Sequence, residues 1–154
     1  MNRARTLVAC ALLACAGTVG AELTQEQAER AVETRQSLLH LMGWNIGPLG
    51  AMARGRIDFD TARVQTNAAR LQALTQMLSD AFGPDTRGND VTTEALDRIW
   101  EQPDDFASRI QDTIDASNRL VAAAATGDED AMREAVGGLG STCGSCHDDF
   151  RADD

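Results

Sequence analysis

The sequence contains no tyrosine and no lysine, and aromatic residues make up only 4% of its 154 residues. All 14 basic residues are arginines, and 24 acidic residues leave a formal net charge of −10. This acidic balance excludes the basic surface by which proteins bind nucleic acid or anionic lipid. An apolar fraction of 43% excludes wholesale disorder. The length allows one sizeable domain, preceded or not by a leader.

The N-terminal residues have the pattern of a secretory signal peptide. Two arginines precede an apolar run at residues 7–16, and small residues follow up to Ala21. The run is too short to span a membrane, which takes about 20 apolar residues. We therefore expect residues 1–21 to be cleaved on export to the periplasm, leaving residues 22–154 as the working domain without a membrane span. The alternative is a lipoprotein leader, with lipid attached at Cys10 or Cys15.

The remaining chain predicts helices and no strands. Apolar residues recur at helical spacing in four segments, and no strand-like alternation is found. Glycines and Pro48 are expected to loosen or end the first helix, and residues 83–103 to form a long connection with a short turn at 94–100. The predicted helices cover residues 24–46, residues 60–82, a stretch from residue 103 to Gly127, and a stretch from Asp128 onward. This pattern predicts an all-α fold, an antiparallel up-down four-helix bundle.

Three predicted helix ends carry capping residues. Thr24 and Gln27 form a capping-box pattern at the start of the first helix. Gly127 suits the C-cap of the third helix, and the Asp128 carboxylate suits the N-terminus of the fourth.

The fourth helix carries an apolar seam. Its spacings of 4, 3, 4, 3 and 4 residues are those of a core-facing stripe in a helical bundle. The seam consists of Met132, Val136, Leu139, Cys143, Cys146 and Phe150. Two cysteines are therefore expected to face the core.

One motif on this helix carries chemistry. Residues 143–147 read Cys-Gly-Ser-Cys-His, the signal for attachment of c-type haem. Two thiols one turn apart can bond the two vinyl groups on one porphyrin edge, and the adjacent imidazole then reaches the iron. We expect one covalent haem c per chain in the bundle core, with His147 as the axial ligand and with no disulfide. An alternative from a different functional class is a haem-free helical protein that uses the two thiols as a redox dithiol or to bind a metal ion.

The second axial ligand of the iron has no compelling candidate. Only seven residues follow His147, so a second ligand must come from upstream. The Met132 side chain shares the motif's helix, and Met52 is predicted to lie in a loop. The candidates are His40, Met42, Met52, Met77 and Met132. We expect an open, pentacoordinate, high-spin iron, and the alternative is a six-coordinate, low-spin electron carrier ligated by Met42.

The chain resembles the cytochrome c′ family over essentially the whole predicted mature domain. The resemblance rests on the C-terminal position of the haem motif and on six other segments. These are Arg35-Gln36-Ser37 to Leu41-Met42-Gly43, Pro48-Leu49 to Gly55, Phe59 to Ala62, Ala81 to Pro84, Thr93 to Trp100, and Gly127-Asp128. Two positions depart from the family pattern: a proline is replaced by Asp97, and a tyrosine by Phe59.

The resemblance implies roles for several residues. Cys143 and Cys146 would carry the thioether bonds, with His147 on the iron, and Leu39 would block the distal face. Arg35 and Gln36 would lie near the haem propionates. Thr93 and Glu94 would lie along the haem edge, and Arg151 would lie near the proximal histidine. Arg35 also falls on the apolar side of its helix, where an arginine needs an anionic partner.

The expected function is that of an exported haem protein rather than an enzyme. A distal face lined by leucine offers no hydrogen-bond donor, so it disfavours oxygen and tolerates nitric oxide or carbon monoxide. The resemblance implies binding of these gases or electron carriage with an unidentified redox partner. It also implies a homodimer, commonly formed through the first two helices. The sequence contains no acid–base or nucleophile constellation.

Overall fold

The computed structural model describes residues 22–152. In chain order the helices are α1 (Gln25–Ala53), α2 (Thr61–Thr75), α3 (Leu78–Phe82), α4 (Arg98–Glu101), α5 (Pro103–Thr126) and α6 (Glu129–Phe150). Across residues 22–152 the extended pairing consists of one isolated antiparallel bridge, between Ala95 and Arg151. The predicted leader, residues 1–21, lies outside the described residues.

The four long helices form a closed ring. Helix α1 packs against α2 and α6, and α5 packs against the same two helices. This arrangement confirms the predicted four-helix bundle. The most deeply buried side chains include Leu49 of α1, Leu71 of α2, Leu120 of α5 and Leu139 of α6. Among the helices of the described residues, none is long and apolar enough to cross a membrane.

The predicted capping residues occupy the helix ends. The Gln27 amide donates to Thr24 Oγ1 over 3.3 Å, and the Thr24 amide donates to Gln27 Oε1 over 2.9 Å. Asp128 accepts from the Ala131 amide over 3.1 Å at the start of α6. Gly127 ends α5 in the left-handed region with φ of 74°, which glycine adopts without steric cost. These local predictions are confirmed.

The prediction that α1 ends near Pro48 is wrong. The helix continues to Ala53 with Pro48 inside it, so Met52 belongs to the helix and not to a loop. An internal proline costs about 3 kcal/mol or more, because it removes a backbone donor and crowds the preceding turn. Leu49 and Met52 lie beyond it with almost no solvent exposure. Burying two such side chains contributes about 3–6 kcal/mol, which is enough to maintain the helix.

The predicted second helix is divided in two. Helix α2 ends at Thr75, and α3 begins at Leu78 after a tightened turn in which the Met77 amide donates to Leu74 O over 3.1 Å. The buried Thr75 hydroxyl donates to the Gln72 carbonyl over 3.0 Å, and such back-bonding bends helices. The connection that follows contains a single helical turn, α4, at residues 98–101 rather than at 94–100.

Candidate haem site

Helix α6 positions both cysteines of the motif on the side of the helix that faces the core. Cys143 and Cys146 are partly buried and carry free thiols, and Cys146 packs against the hydrophobic core. They lie between Leu139 and Phe150, which are both buried. The predicted seam is thereby confirmed at its buried positions. Both sulfur atoms belong to one helix face, one turn apart.

The two thiols are protonated at neutral pH. Burial raises the pKa of Cys143, and burial followed by the proximity of Cys143 raises the pKa of Cys146 to about 11. A high pKa disfavours the thiolate that redox-active dithiols use. The microenvironment is therefore unlike that of a reactive dithiol.

His147 follows Cys146 in the last turn of α6. Burial of part of its imidazole, followed by the positive charge of Arg151, lowers the pKa of His147. The Arg151 amide donates to the His147 carbonyl over 3.1 Å, which closes the helix. A neutral imidazole is the form that binds a metal ion.

A short segment before α4 is joined to the end of α6. The Leu96 amide donates to the Phe150 carbonyl over 3.0 Å, and the Ala152 amide donates to the Glu94 carbonyl over 2.8 Å. The Glu94 carboxylate lies 3.7 Å from Arg151 Nε. The structure thus brings together Glu94 and Arg151, which the sequence analysis selected separately.

Arg35 is buried on α1, with 2% of its surface exposed, as its place on the apolar side predicts. Its Nε donates to the Ala31 carbonyl over 3.3 Å, and Nη2 donates to Thr86 Oγ1 over 2.9 Å. The guanidinium carbon lies 5.6 Å from the centre of the Phe82 ring and 5.2 Å from that of Trp100. Burial lowers the pKa of Arg35, and the negative charge of Asp85 opposes this shift.

The residues present fit a covalently attached haem. Arg35 Nη1 is buried and has no hydrogen-bond partner among the residues that the structure describes. A buried charged donor without a partner is costly, and an anionic group such as a haem propionate would satisfy it. The two free thiols on the core-facing side of α6 supply the attachment points. The orphaned guanidinium donor can pair with a propionate, and the thiol pair can attach the porphyrin.

The other predicted site residues lie on α1 and on the connection before α4. Leu39 is 40% exposed, a large apolar side chain open to solvent on α1. Gln36 is exposed and lines a surface depression of about 320 Å³ together with Val91 and Thr92. Thr93 Oγ1 accepts from the Ala95 amide over 3.1 Å.

The upstream candidates for a second axial ligand differ in burial. Met42, Met52 and Met132 belong to the buried core cluster or lie among its most buried side chains. Met77 is exposed at the break between α2 and α3, and His40 is exposed on α1. The core placement of Met132 agrees with the sequence analysis.

Sequence reasoning missed two contacts near the site. Thr86 is buried against Arg35 across 51 residues of chain, and no periodic pattern marks its loop. Arg109 of α5 donates to Asp149 of α6 over 2.8 Å. A charge pair between helices of unknown register leaves no signal in a single sequence. Phe82 and Trp100 flank Arg35.

Comparison with known proteins gives consistent matches. A family model described as Cytochrome C′ matches residues 30–151. Cytochrome c-554 from Cereibacter sphaeroides is 39% identical, with 83% of this chain and 97% of that protein covered. Cytochrome c′ from Halomonas halodenitrificans is 38% identical, with 81% of this chain and 98% of that protein covered.

A solved structure has the same fold. It is the nitric oxide complex of a variant of cytochrome c prime from Alcaligenes xylosoxidans, with a TM-score of 0.75 and 33% identity. The match covers 82% of this chain and 97% of that one. The haem-attachment motif, the helical bundle and these matches agree, and the chain belongs to the cytochrome c′ family, whose cofactor is a covalently attached haem c.

Proposed function

We propose that this protein is a periplasmic cytochrome whose open haem iron binds nitric oxide or carbon monoxide. The observation that carries the proposal is the partly exposed, apolar Leu39 on α1, at the position where family resemblance implies the blocked distal face. The nitric oxide complex of the related Alcaligenes protein supports the choice of ligand. The proposed secretory leader supports the location.

Each site residue has a proposed role. Cys143 and Cys146 hold the haem by thioether bonds, and His147 binds the iron from the proximal side. When bound, the haem supplies an iron that changes between ferrous and ferric states and accepts a diatomic ligand. Leu39 excludes water and larger molecules from the distal side and offers no hydrogen bond to a bound ligand.

Polar residues are proposed to act at the haem edge. Arg35 pairs with a haem propionate through Nη1, and Gln36 lies beside the same group. Thr93 and Glu94 border the haem edge, and the Glu94 carboxylate holds the guanidinium of Arg151 near the proximal side.

A dimer is also proposed, through the face formed by α1 and α2. Leu41 and Trp44 of α1 are 49% and 63% exposed, which is unusual for large apolar side chains that lie close together. Arg70 lies over the Trp44 ring, 5.8 Å from its centre. A depression of about 320 Å³ beside this pair is lined by Trp44, Arg63, Asn67 and Arg70. Exposed aromatic and arginine side chains are typical of interface centres.

Absorption spectra test the open iron directly. We expect broad, high-spin bands in both oxidation states of the holoprotein. A sharp, split α band in the reduced state, or the weak far-red band of methionine–iron ligation in the oxidised state, would contradict the open iron and favour the six-coordinate alternative. Absence of a Soret band after expression with haem-attachment machinery would exclude both cytochrome hypotheses.

Substitution of the proposed distal residue tests its role. We expect Leu39→Ala to accelerate carbon monoxide binding by about tenfold or more, which corresponds to about 1.4 kcal/mol of barrier. The matched control is Leu41→Ala, another exposed leucine two positions along α1, which should leave the rate unchanged. Stopped-flow mixing of the ferrous proteins with carbon monoxide measures both rates. Equal rates for wild type and Leu39→Ala would mean that Leu39 does not guard the iron.

A further inference from the structure

The guanidinium of Arg35 is held from several sides before any cofactor contact is considered. Its Nε is engaged with the preceding turn of α1, and Phe82 and Trp100 place aromatic rings within 6 Å of its centre. Aromatic faces attract a cation but set no direction within the guanidinium plane. The direction must come from a hydrogen-bond acceptor.

The Ala31 carbonyl accepts from Nε, and Thr86 supplies the acceptor at the outer end of the guanidinium. Its side chain is 2% exposed, and Oγ1 receives Arg35 Nη2 over 2.9 Å in a buried hydrogen bond. A hydrogen bond to a charged donor is about twice as strong as one between neutral groups. Because the guanidinium is a planar fork with fixed donor positions, holding Nη2 also determines where Nη1 lies.

The loop around Thr86 is itself fixed. The Asn89 amide donates to the Thr86 carbonyl over 3.2 Å, and Asn89 Nδ2 donates to the Leu23 carbonyl over 3.2 Å. The Asp90 amide donates to Gln25 Oε1 over 3.3 Å, at the start of α1. Thr86 is therefore anchored to the beginning of the helix that carries Arg35.

Nη1 of the same guanidinium is buried and has no hydrogen-bond partner within residues 22–152. Asp85, whose negative charge acts on Arg35, is exposed, and both of its carboxylate oxygens accept from Arg87. Among residues 22–152, Nη1 therefore lacks an acceptor, and an anionic group of the cofactor can supply one.

We propose that Thr86 is a positioning residue: its hydroxyl holds Nη2 of Arg35 so that Nη1 is presented to a haem propionate. This inference rests on the proposed pairing of Arg35 with that carboxylate. A positive charge held near the haem favours the ferrous state, because reduction removes one positive charge from the iron centre. Loss of the Thr86 hydroxyl releases the guanidinium and lowers the reduction potential.

The test compares isosteric variants of the holoprotein. Thr86→Val removes the hydroxyl and keeps the shape, and Thr86→Ser keeps the hydroxyl. Arg35→Met removes the charge and keeps the apolar stem between the rings. The matched control is Thr75→Val, which removes another buried hydroxyl, one that lies 3.0 Å from Ser117 Oγ. Spectroelectrochemistry measures each reduction potential, and ¹⁵N NMR of the Arg35 side chain reports its order.

We expect Thr86→Val to lower the reduction potential in the same direction as Arg35→Met and by less. Thr86→Ser should restore the wild-type potential, and Thr75→Val should lower stability without moving the potential. Thr86→Val should add nothing in the Arg35→Met background. The Arg35 Nε–H signal should broaden or shift in Thr86→Val alone.

Other results would overturn the inference. If Arg35→Met shifts the potential and Thr86→Val does not, Thr86 has no positioning role, although the propionate pairing stands. If Arg35→Met leaves the potential unchanged, the pairing itself is wrong. If Arg35→Met does not fold, the reduction potentials of Thr86→Val and Thr86→Ser and the Arg35 NMR signal still test the role of Thr86. Equal potentials in these two variants and an unchanged NMR signal would contradict it.

Discussion

Arg35 carries a full positive charge to a position where 2% of its surface meets solvent. Such burial is costly unless each donor finds an acceptor or an opposite charge. Thr86, Ala31 and two aromatic rings compensate part of the cost, and Nη1 stays without a partner in the described part of the chain. The buried position of Arg35 follows from its spacing along the helix. Its partner does not, because Thr86 lies 51 residues away in a loop without periodicity.

The glycine at the end of α5 has a backbone conformation that other residues adopt only with strain. Gly127 has φ of 74°, and a Cβ added there would meet open space. We expect Gly127→Ala to lower the free energy of unfolding by about 1 kcal/mol, because a Cβ strains the left-handed conformation. Urea denaturation followed by circular dichroism measures the change.

The control for this prediction is a glycine with ordinary helical geometry. Gly137 lies inside α6 on the exposed side, and a Cβ added there also meets open space. Gly137→Ala should raise the free energy of unfolding by about 0.5–1 kcal/mol through its helix propensity. A loss of stability in both variants would show that backbone conformation does not account for Gly127.

At the scale of the helix, α6 combines a structural seam with the chemistry of attachment. Met132, Val136 and Leu139 anchor its first half in the core, and Phe150 anchors its end. The cysteines are thereby held at a defined height and rotation in the bundle. The seam was predictable because its apolar residues recur at helical spacing within one continuous segment. The length of α1 was not, because Pro48 is tolerated only through the burial of Leu49 and Met52.

Truncation within the seam tests how strongly it holds α6. Leu139 is almost completely buried, and we expect Leu139→Ala to lower the free energy of unfolding by about 2–5 kcal/mol, from lost burial and a cavity. Met77→Ala, at a side chain that is 54% exposed, serves as the control and should change it by less than about 0.5 kcal/mol. Chemical denaturation of both holoproteins provides the comparison. Similar small losses would mean that α6 is held mainly by the haem.

At the scale of the whole molecule, four helices enclose a core with very few aromatic residues. The segment before α4 is hydrogen-bonded to the end of α6, and Arg109 of α5 pairs with Asp149 near the same end. The exposed apolar pair on α1 lies at Leu41 and Trp44. The proposed dimer would cover this face.

The proposed dimer can be tested with one substitution at its interface and one control substitution elsewhere. We expect the wild-type holoprotein to sediment as a dimer, and Trp44→Ser to raise its dissociation constant by about tenfold or more, as for a central aromatic interface residue. Met77→Ser changes an apolar side chain of similar exposure elsewhere and should leave the constant unchanged. Analytical ultracentrifugation over a concentration series decides. A monomeric wild type, or equal effects of both substitutions, would contradict the proposed interface.

The sequence by itself determined the features that depend on neighbouring residues. The motif at residues 143–147, its position on a core-facing seam, and the caps at Thr24, Gly127 and Asp128 all follow from spacings within one or two helical turns. Their physical causes, backbone hydrogen bonding and helical periodicity, act locally. The buried position of Arg35 follows from the same periodicity.

Only the tertiary structure decided the contacts between distant segments. It extended α1 through Pro48, divided the second helix at Thr75, paired Arg35 with Thr86 and joined Glu94 to Arg151. Each of these depends on burial or hydrogen bonding against a residue from another element. One sequence contains the chemical groups for such contacts but not their distances, because packing of the whole bundle sets which groups meet.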